Sequence, residues 1–244
     1  MIPQTNTHIQ DKKISFKDIT ILVPVLNEEE NVSLLVKIIE KLYPEISVFF
    51  IDDGSIDKTR EIVKKINKRN PKIKLIDRTH KKIHGICASI IEGIQKTKTD
   101  YFIVMDGDLQ HPPEAISDFK KEFEKGNLFV VASRKKIKNW KWQRKLISKI
   151  ATILGKISLV LKRKKYPKDI LSGFFGGKTS LFKELIKKNK KKFQLRGYKV
   201  LFDFLKITPK DVKISEFSYN FGERKKGSSK IKMKHIIFFL RGLI

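Results

Sequence analysis

Apolar runs and amphipathic stretches alternate through the first half of the chain. Five apolar runs predict buried strands at residues 19–26, 46–53, 73–77, 100–106 and 128–133. Between them, apolar residues recur every three or four positions, which predicts helices at 30–42, at 58–69 and around 83–94. Unbroken apolar strands that alternate with helices are typical of a mostly parallel sheet covered on both faces. The pattern therefore predicts an α/β fold.

The most reactive side chains of this half follow the ends of four predicted strands. They are Asn27 and Glu28 after the first, Asp52 and Asp53 at the second, Asp106 and Asp108 after the fourth, and Ser133 and Arg134 after the fifth. Ligands of open parallel sheets bind at the carboxyl ends of the strands. We therefore expect one polar site along that edge of the sheet.

A candidate metal site follows the fourth strand, where Asp106 and Asp108 flank Gly107. Mg²⁺ and Mn²⁺ prefer oxygen ligands, and Mg²⁺ is commonly held by one or two carboxylates together with substrate phosphates. Gly107 allows a close approach by backbone or ligand. Gln110 and His111 are candidates for further ligands. A surface turn is the alternative interpretation, and the position after a buried strand favours the metal.

The segment Asp52-Asp53-Gly54-Ser55 has two interpretations. Ser55 or Asp57 can cap the helix that follows, or the carboxylates of Asp52 and Asp53 can hold ribose hydroxyls and base N–H groups, as acidic residues do in other nucleotide-binding folds. The chain contains neither GxGxxG nor GxxxxGK[ST]. Hydride transfer and P-loop chemistry therefore lose support.

The second half carries an amphipathic basic stretch. Its apolar stripe is Leu146, Ile150, Ile153 and Ile157, and its flanking cations are Lys145, Lys149 and Lys156. This pattern fits a helix in a membrane interface, and a helix packed on the domain is the alternative. No run reaches the roughly 18 apolar residues of a membrane-spanning helix, and the apolar stretch 235–244 is too short. Residues 1–20 show no signal-peptide pattern.

Composition adds a large positive charge. The 244 residues include 54 Lys and Arg against 26 Asp and Glu, a formal net charge of +28. Such an excess indicates an anionic partner, namely nucleic acid, a phosphorylated ligand or a membrane surface, unless it reflects a generally lysine-rich composition. Cys87 is the single cysteine, so no internal disulfide forms, which suits a reducing compartment.

Seven segments in order carry a family resemblance. They are VPVLNEEEN, IDDGSIDKT, VMDGDLQHPPE, SR at 133–134, RKLISK at 144–149, LSGFFG at 171–176 and FGERKKGSSK at 221–230. Together they resemble the inverting family 2 glycosyltransferases of the dolichol-phosphate mannose synthase and polyprenyl-phosphate group, over roughly residues 19–241. Any one motif is weak, and their order makes the signal specific.

The resemblance implies a single Rossmann-like domain of the GT-A type over 1–244. About 19–134 would bind a nucleotide sugar, and about 135–244 would bind the acceptor and the membrane. Positions that match the nucleotide pocket are Pro24, Asn27, Glu28, Asp52, Asp53, Asp106, Gly107 and Asp108. Positions that match the Mg²⁺ or Mn²⁺ site are Asp106, Asp108 and Gln110. Positions that match the acceptor-phosphate site are Arg134, Arg144, Ser148, Arg224 and Lys230. The expected catalytic residues are Asp106, Asp108, Arg134, Arg144 and Arg224.

The implied reaction is metal-dependent transfer of mannose from GDP-mannose to dolichyl or another polyprenyl phosphate. The enzyme would be peripheral, at the cytoplasmic face of a membrane, with a membrane-anchoring partner subunit as an open alternative. The acceptor phosphate is anionic near neutral pH, with a second pKa of about 6, so no strong general base is needed. His84 precedes Gly85 where relatives often have lysine or arginine, which leaves donor contacts in that loop open.

Two alternatives accompany this interpretation. One is transfer of glucose or an amino sugar from a UDP-sugar to undecaprenyl or another polyprenyl phosphate. The other is a basic nucleic-acid- or lipid-binding protein without catalysis. Nucleic-acid binding predicts cations interleaved with stacking aromatics on one face, whereas the cations here concentrate after residue 134 beside apolar stripes. We therefore expect lipid phosphate and membrane, and no nucleic acid.

Overall fold

The structure, a computed structural model, describes residues 13–135 and 142–222, the side chains of 142–148 excepted. A seven-stranded sheet lies at its centre, with strand order β3-β2-β1-β4-β6-β5-β7. The strands are β1 Ile19–Val25, β2 Ser47–Asp52, β3 Ile73–Asp77, β4 Tyr101–Val104, β5 Phe129–Arg134, β6 Phe175–Lys178 and β7 Ile214–Tyr219. The helices are α1 Glu29–Leu42, α2 Thr59–Arg69, α3 Ile86–Lys96, α4 Ile116–Glu124, α5 Trp142–Leu161, α6 Thr179–Lys188 and α7 Val200–Ile207.

Six of these strands run in the same direction. β1 pairs in parallel with β2 and β4, β2 with β3, and β5 with β7. Only β6 is reversed, since it pairs antiparallel with both β4 and β5. The carboxyl ends of β1, β2, β4, β5 and β7 therefore meet at one edge, together with the segment that enters β6.

Helices cover both faces because alternate strand residues point to opposite sides. Within β2, Val48 and Phe50 join the core layer under α1, α2 and α4. Phe49 and Ile51 join the opposite layer, under α3, α6 and α7. Both layers are apolar and closed, which explains why the strands are continuous apolar runs in the sequence. The prediction of a mostly parallel α/β fold is confirmed.

The five predicted strands correspond to β1–β5, and their ends agree within three residues. β6 and β7 were not predicted. β6 has the sequence FGGK, which carries no periodic signal. A Cβ on Gly176 would lie 2.4 Å from the Phe102 carbonyl oxygen, so this strand fits between its neighbours only with glycine there.

The amphipathic stretch of the second half forms α5, and the part of its predicted stripe whose side chains are described faces outward. Ile150, Ile153 and Ile157 are each about half exposed, at 48%, 49% and 50%. The helix instead buries small residues, including Ala151 and Ser158, together with Leu159. The helix therefore packs on the domain, as the alternative expects, but through this other face, and the membrane role of the exposed stripe stays a prediction. No described helix is long and apolar enough to cross a membrane; residues 235–244 lie outside the described ranges.

Candidate active site

Asp52 organises the loop after β2. Its carboxylate is fully buried, and Oδ1 accepts the backbone N–H groups of Gly54 at 3.0 Å and Ser55 at 2.9 Å. The Ser55 hydroxyl donates to Oδ2 and accepts the Asn27 N–H at 2.8 Å. These contacts order the loop and do not cap α2, which begins at Thr59 and whose N-cap residue Lys58 makes no side-chain cap hydrogen bond. A role of Asp52 against ribose or base stays a prediction.

The loops after β1 and β2 are joined by further hydrogen bonds. The Ile56 N–H donates to Oδ1 of Asn27 at 2.8 Å, and Asn27 itself adopts a left-handed conformation with φ 52°. The Glu28 N–H donates to the Thr59 hydroxyl at 2.8 Å, and Asn31 donates to the Glu28 carboxylate at 2.7 Å. Asn27 and Glu28 therefore face the second loop, as the strand-end argument predicts, and Pro24 is half-buried in β1 beside them.

Asp53 is held at the entrance of α3 by a buried arginine. The Arg78 Nε donates to Oδ1 of Asp53 at 3.1 Å, and the Gly85 N–H donates to Oδ2 at 2.6 Å. Arg78 is 4% exposed and also pairs with Glu92. The His84 ring donates from Nδ1 to the Asp53 carbonyl at 2.9 Å. The structure therefore brings the unusual His84 onto Asp53, while sequence patterns gave no sign of Arg78.

The candidate metal ligands form a tight turn after β4. The Asp106 side chain is 42% exposed, whereas Asp108 is buried at 4% and accepts the Gln110 N–H at 3.1 Å. The turn depends on Leu109, whose φ is 63°. Gln110 is anchored by Gly222, whose carbonyl accepts from Nε2 at 3.2 Å and whose N–H donates to the Gln110 carbonyl at 2.9 Å. Only Asp106 thus presents a substantially exposed carboxylate.

His111 supports this turn and is not arranged as a metal ligand. Its Nδ1 accepts the Asp106 N–H at 2.9 Å, so Nε2 carries the proton of the neutral ring. The ring is 2% exposed and stacks on Phe174 with 4.7 Å between centres. Burial lowers the pKa of His111 to about 3. The expectation that His111 adds a ligand is therefore not met, because its basic nitrogen is already used.

Arg134 is paired with a carboxylate that sequence reasoning missed. Its Nε and Nη2 donate to Oδ2 and Oδ1 of Asp169 at 2.6 and 3.0 Å. Burial opposes ionisation of Asp169, but the hydrogen bonds and charge of Arg134 outweigh it and lower the pKa of Asp169. Asp169 lies in the irregular segment before β6, where no periodicity marks it. Gly173 follows, and a Cβ there would lie 3.4 Å from both Asp106 carboxylate oxygens.

The structure does not describe the side chains of the other predicted site residues. Arg144 and Ser148 belong to α5, and their side chains are not described. Arg224 and Lys230 lie outside the described residues. Among the described residues, no group of three or more His, Cys, Asp and Glu side chains could hold a metal ion.

This arrangement defines a class of protein. A mostly parallel sheet with acidic loops after β2 and β4 has the architecture of the GT-A glycosyltransferases. Solved structures share this fold: mannosyl-3-phosphoglycerate synthase from Rubrobacter xylanophilus superposes with TM-score 0.61 and 14% identity, covering 92% of this chain and 72% of that one. Glucosyl-3-phosphoglycerate synthase from Mycobacterium tuberculosis gives 0.61 and 15%, covering 92% and 79%.

Sequence comparison gives the family. The profile of glycosyl transferase family 2 matches residues 20–188, and the chain belongs to that family. It is 35% identical over 229 residues to a dolichol-phosphate mannosyltransferase of Pyrococcus furiosus, covering 91% of this chain and 62% of that protein. It is 28% identical over 238 residues to a Saccharomyces cerevisiae protein of the same name, covering 92% and 85%. The chain thus spans under two thirds of the archaeal relative.

Because His111 is buried neutral, it makes the stability of the metal-free protein depend on pH. Its folded pKa of about 3 lies below the ordinary 6.5, so the unfolded chain takes up the proton first as pH falls. The contribution of the neutral His111 ring to the free energy of unfolding is complete above pH 6.5, and it is lost as the pH falls towards 3. We expect His111→Asn to remove up to about 1.4 kcal/mol per pH unit from the slope of unfolding free energy between pH 6 and 4.

The measurement is urea unfolding in EDTA at several pH values. The matched control is His80→Asn, because His80 is exposed and its removal should leave the slope unchanged. Equal slopes for wild type and His111→Asn would contradict the buried neutral ring.

Proposed function

We propose that this chain transfers mannose from GDP-mannose to dolichyl or another polyprenyl phosphate. The observation that carries the proposal is the carboxyl edge of the sheet. Carboxylates for the donor side, Asp53 and Asp106, and a guanidinium for the acceptor side, Arg134, come to this one edge. The two dolichol-phosphate mannosyltransferases that the chain resembles over more than nine tenths of its length support the choice of sugar and lipid.

On the donor side, residues 19–134 would bind the nucleotide sugar. Pro24, Asn27 and Glu28 would line the pocket. Asp53 would contact the nucleoside, and the buried Asp52 would order the loop that carries it. Acidic side chains at strand ends hold ribose hydroxyls in other nucleotide folds, and the partial exposure of the Asp53 side chain, 13%, is compatible with such a contact.

The residues present fit a divalent cation. Asp106, Asp108 and Gln110 are oxygen-bearing side chains on one turn, and Gly107 brings its backbone against Val25, where a Cβ would lie 3.1 Å from a methyl group. The buried Tyr219 hydroxyl has no hydrogen-bond partner among the described residues. Mg²⁺ or Mn²⁺ would lower the charge on the donor diphosphate. Few protein ligands are needed where substrate phosphates complete the coordination.

On the acceptor side, residues 135–244 would receive the lipid phosphate. Arg134, Arg144 and Ser148 would bind it, and Arg224 and Lys230 would close over the phosphates. Arginine suits this task because its planar fork contacts phosphate oxygens in pairs. The phosphate is its own nucleophile, so the reaction needs no general base from His111, the buried imidazole among the described residues, which stays neutral near pH 7.

Helix α5 would lie on the membrane. Its outer face carries Ile153, Ile157 and Val160, with exposures of 49%, 50% and 56%, and exposed Lys149 lies close by. A helix with an apolar face and basic flanks binds the interface of an anionic bilayer. The cytoplasmic side suits a protein whose single cysteine, Cys87, is a free thiol. An anchoring partner subunit would add a second means of attachment.

The function is tested by a transfer assay with purified protein, Mg²⁺ or Mn²⁺ and a short-chain polyprenyl phosphate. Radiolabelled GDP-mannose and UDP-glucose are supplied in parallel. We expect metal-dependent label in the organic phase from GDP-mannose. Label from UDP-glucose alone would replace the mannosyl proposal by the UDP-sugar alternative. No transfer from either donor by folded protein would refute the proposed reaction.

Asp108→Asn tests the metal site with little change in shape, because the amide keeps an acceptor for the Gln110 N–H. We expect transfer to fall at least about a hundredfold, since a bound cation supplies several kcal/mol of charge stabilisation. The binding of Mn²⁺ in the presence of GDP, measured by equilibrium dialysis, should weaken in parallel. Asp118→Asn on α4 is the matched control, because its carboxylate is 47% exposed and pairs only locally with Lys121. Equal activity of both variants would exclude the metal role of Asp108.

Ile153→Asp tests the membrane face. Loss of one inserted apolar side chain should weaken binding to anionic vesicles roughly tenfold, measured by co-sedimentation. Ile56→Asp is the matched control, because Ile56 is 93% exposed but lies in the loop after β2. A comparable loss in both variants would show that α5 is not the membrane-binding element.

A further inference from the structure

The ion pair between Arg134 and Asp169 stands at the acceptor side of the site. We infer that Asp169 is a positioning residue, which fixes the Arg134 guanidinium in the orientation that receives the acceptor phosphate. The inference rests on the proposed function. It adds a residue that neither the sequence patterns nor the family resemblance indicated.

The pair is built for a fixed geometry. Two parallel hydrogen bonds, Nε to Oδ2 at 2.6 Å and Nη2 to Oδ1 at 3.0 Å, define both the position and the plane of the guanidinium. Both side chains are largely buried, with exposures of 13% and 15%. The centre of the Phe221 ring lies 5.6 Å from the guanidinium carbon, within the range of a cation–π contact. Arg134 therefore has little freedom to turn.

Asp169 is itself fixed to the sheet. Its Oδ1 accepts the Leu171 N–H at 3.2 Å, and its carbonyl accepts the Ser172 N–H at 3.3 Å. The Ser172 hydroxyl donates to the Ala132 carbonyl at 2.7 Å, which ties this segment to β5. Lys199 donates to the Leu171 carbonyl at 2.9 Å. The carboxylate thus connects Arg134, at the end of β5, to a segment that is anchored to the same strand.

Electrostatics explains why a fixed orientation matters here. The Arg134 charge interacts with the Asp106 carboxylate as well as with Asp169, and both raise the pKa of Arg134 against the opposing effect of burial. Without Asp169, the attraction of Asp106 would draw the guanidinium towards the metal and donor side. Asp169 takes two of the five guanidinium N–H groups and so opposes that attraction.

The experiment measures acceptor and donor kinetics of four purified variants: Asp169→Asn, Asp169→Glu, Arg134→Gln and the double variant Asp169→Asn/Arg134→Gln. GDP-mannose and a short-chain polyprenyl phosphate are the substrates. We expect Asp169→Asn to lower kcat/KM for the lipid phosphate about ten- to a hundredfold, because a displaced positioning group costs up to that much. The KM for GDP-mannose should change less than threefold. Asp169→Glu retains the charge, and with it the fold, but shifts the guanidinium and should give a smaller loss of the same kind.

The double variant separates positioning from general damage. If Asp169 acts through Arg134, adding Asp169→Asn to Arg134→Gln causes no further loss in acceptor kcat/KM. The matched control is Asp203→Asn, because Asp203 is also largely buried and pairs with Lys206 at 3.1 Å on α7. It should lower the melting temperature while leaving acceptor kinetics unchanged.

Each outcome decides between the proposals. Multiplicative losses in the double variant, or equal acceptor losses in Asp203→Asn and Asp169→Asn, would overturn the positioning role. An unchanged acceptor kcat/KM in Asp169→Asn and Asp169→Glu, with a loss in Arg134→Gln, would do the same while leaving the proposed function intact. An unchanged acceptor kcat/KM in Arg134→Gln would instead refute the assignment of Arg134 to the acceptor, and with it this inference.

Discussion

The common direction of six strands is the constraint on which the site depends. Parallel pairing brings the ends of β1, β2, β4, β5 and β7 to one edge, although they are far apart in the sequence. The reversed β6 fits between β4 and β5, and its entering segment brings Asp169 and Gly173 to the same edge. Because the strands are buried on both faces, this edge is where polar side chains can collect without disturbing the core. The fold therefore brings the strand ends together at one edge, whatever side chains they carry.

Neighbouring acidic residues at this edge have different environments, and these environments separate their roles. Asp52 points inward and is saturated by Gly54 and Ser55, whereas the adjacent Asp53 reaches the loop before α3. Asp106 is substantially exposed, and Asp108 two residues later is buried. Buried carboxylates with full hydrogen bonding order loops, since a charge without such partners costs too much to bury. Asp52 therefore orders its loop, whereas Asp106 is the carboxylate of its pair that is more open to solvent.

The sequence predicted the strands well because each is a continuous apolar run, and the polar strand ends followed from that. It could not predict β6, whose glycines respond to close packing against Phe102 and leave no periodic signal. It could not show that Asp52 faces inward while Asp53 is held by Arg78, since adjacent residues of one type look alike. The apolar stripe of α5 was visible in the sequence. The helical spacing of its apolar residues does not show, however, which face of the helix is buried. The small residues Ala151 and Ser158 were the signal that the opposite face packs on the domain.

The net positive charge of the protein does not explain the arginines at the site. The two arginines with the most fixed positions each form ion pairs with their own carboxylates. Arg78 lies between Asp53 and Glu92, and Arg134 lies against Asp169. The proposed reaction moves a sugar from a nucleoside diphosphate to a lipid phosphate and so brings two anionic groups together, and its arginines would otherwise be drawn to Asp106 and Asp108. A dedicated carboxylate for each arginine would prevent this, although it offsets part of the arginine's charge. On this argument the surplus of lysines serves the surface, and paired arginines set the geometry of the site.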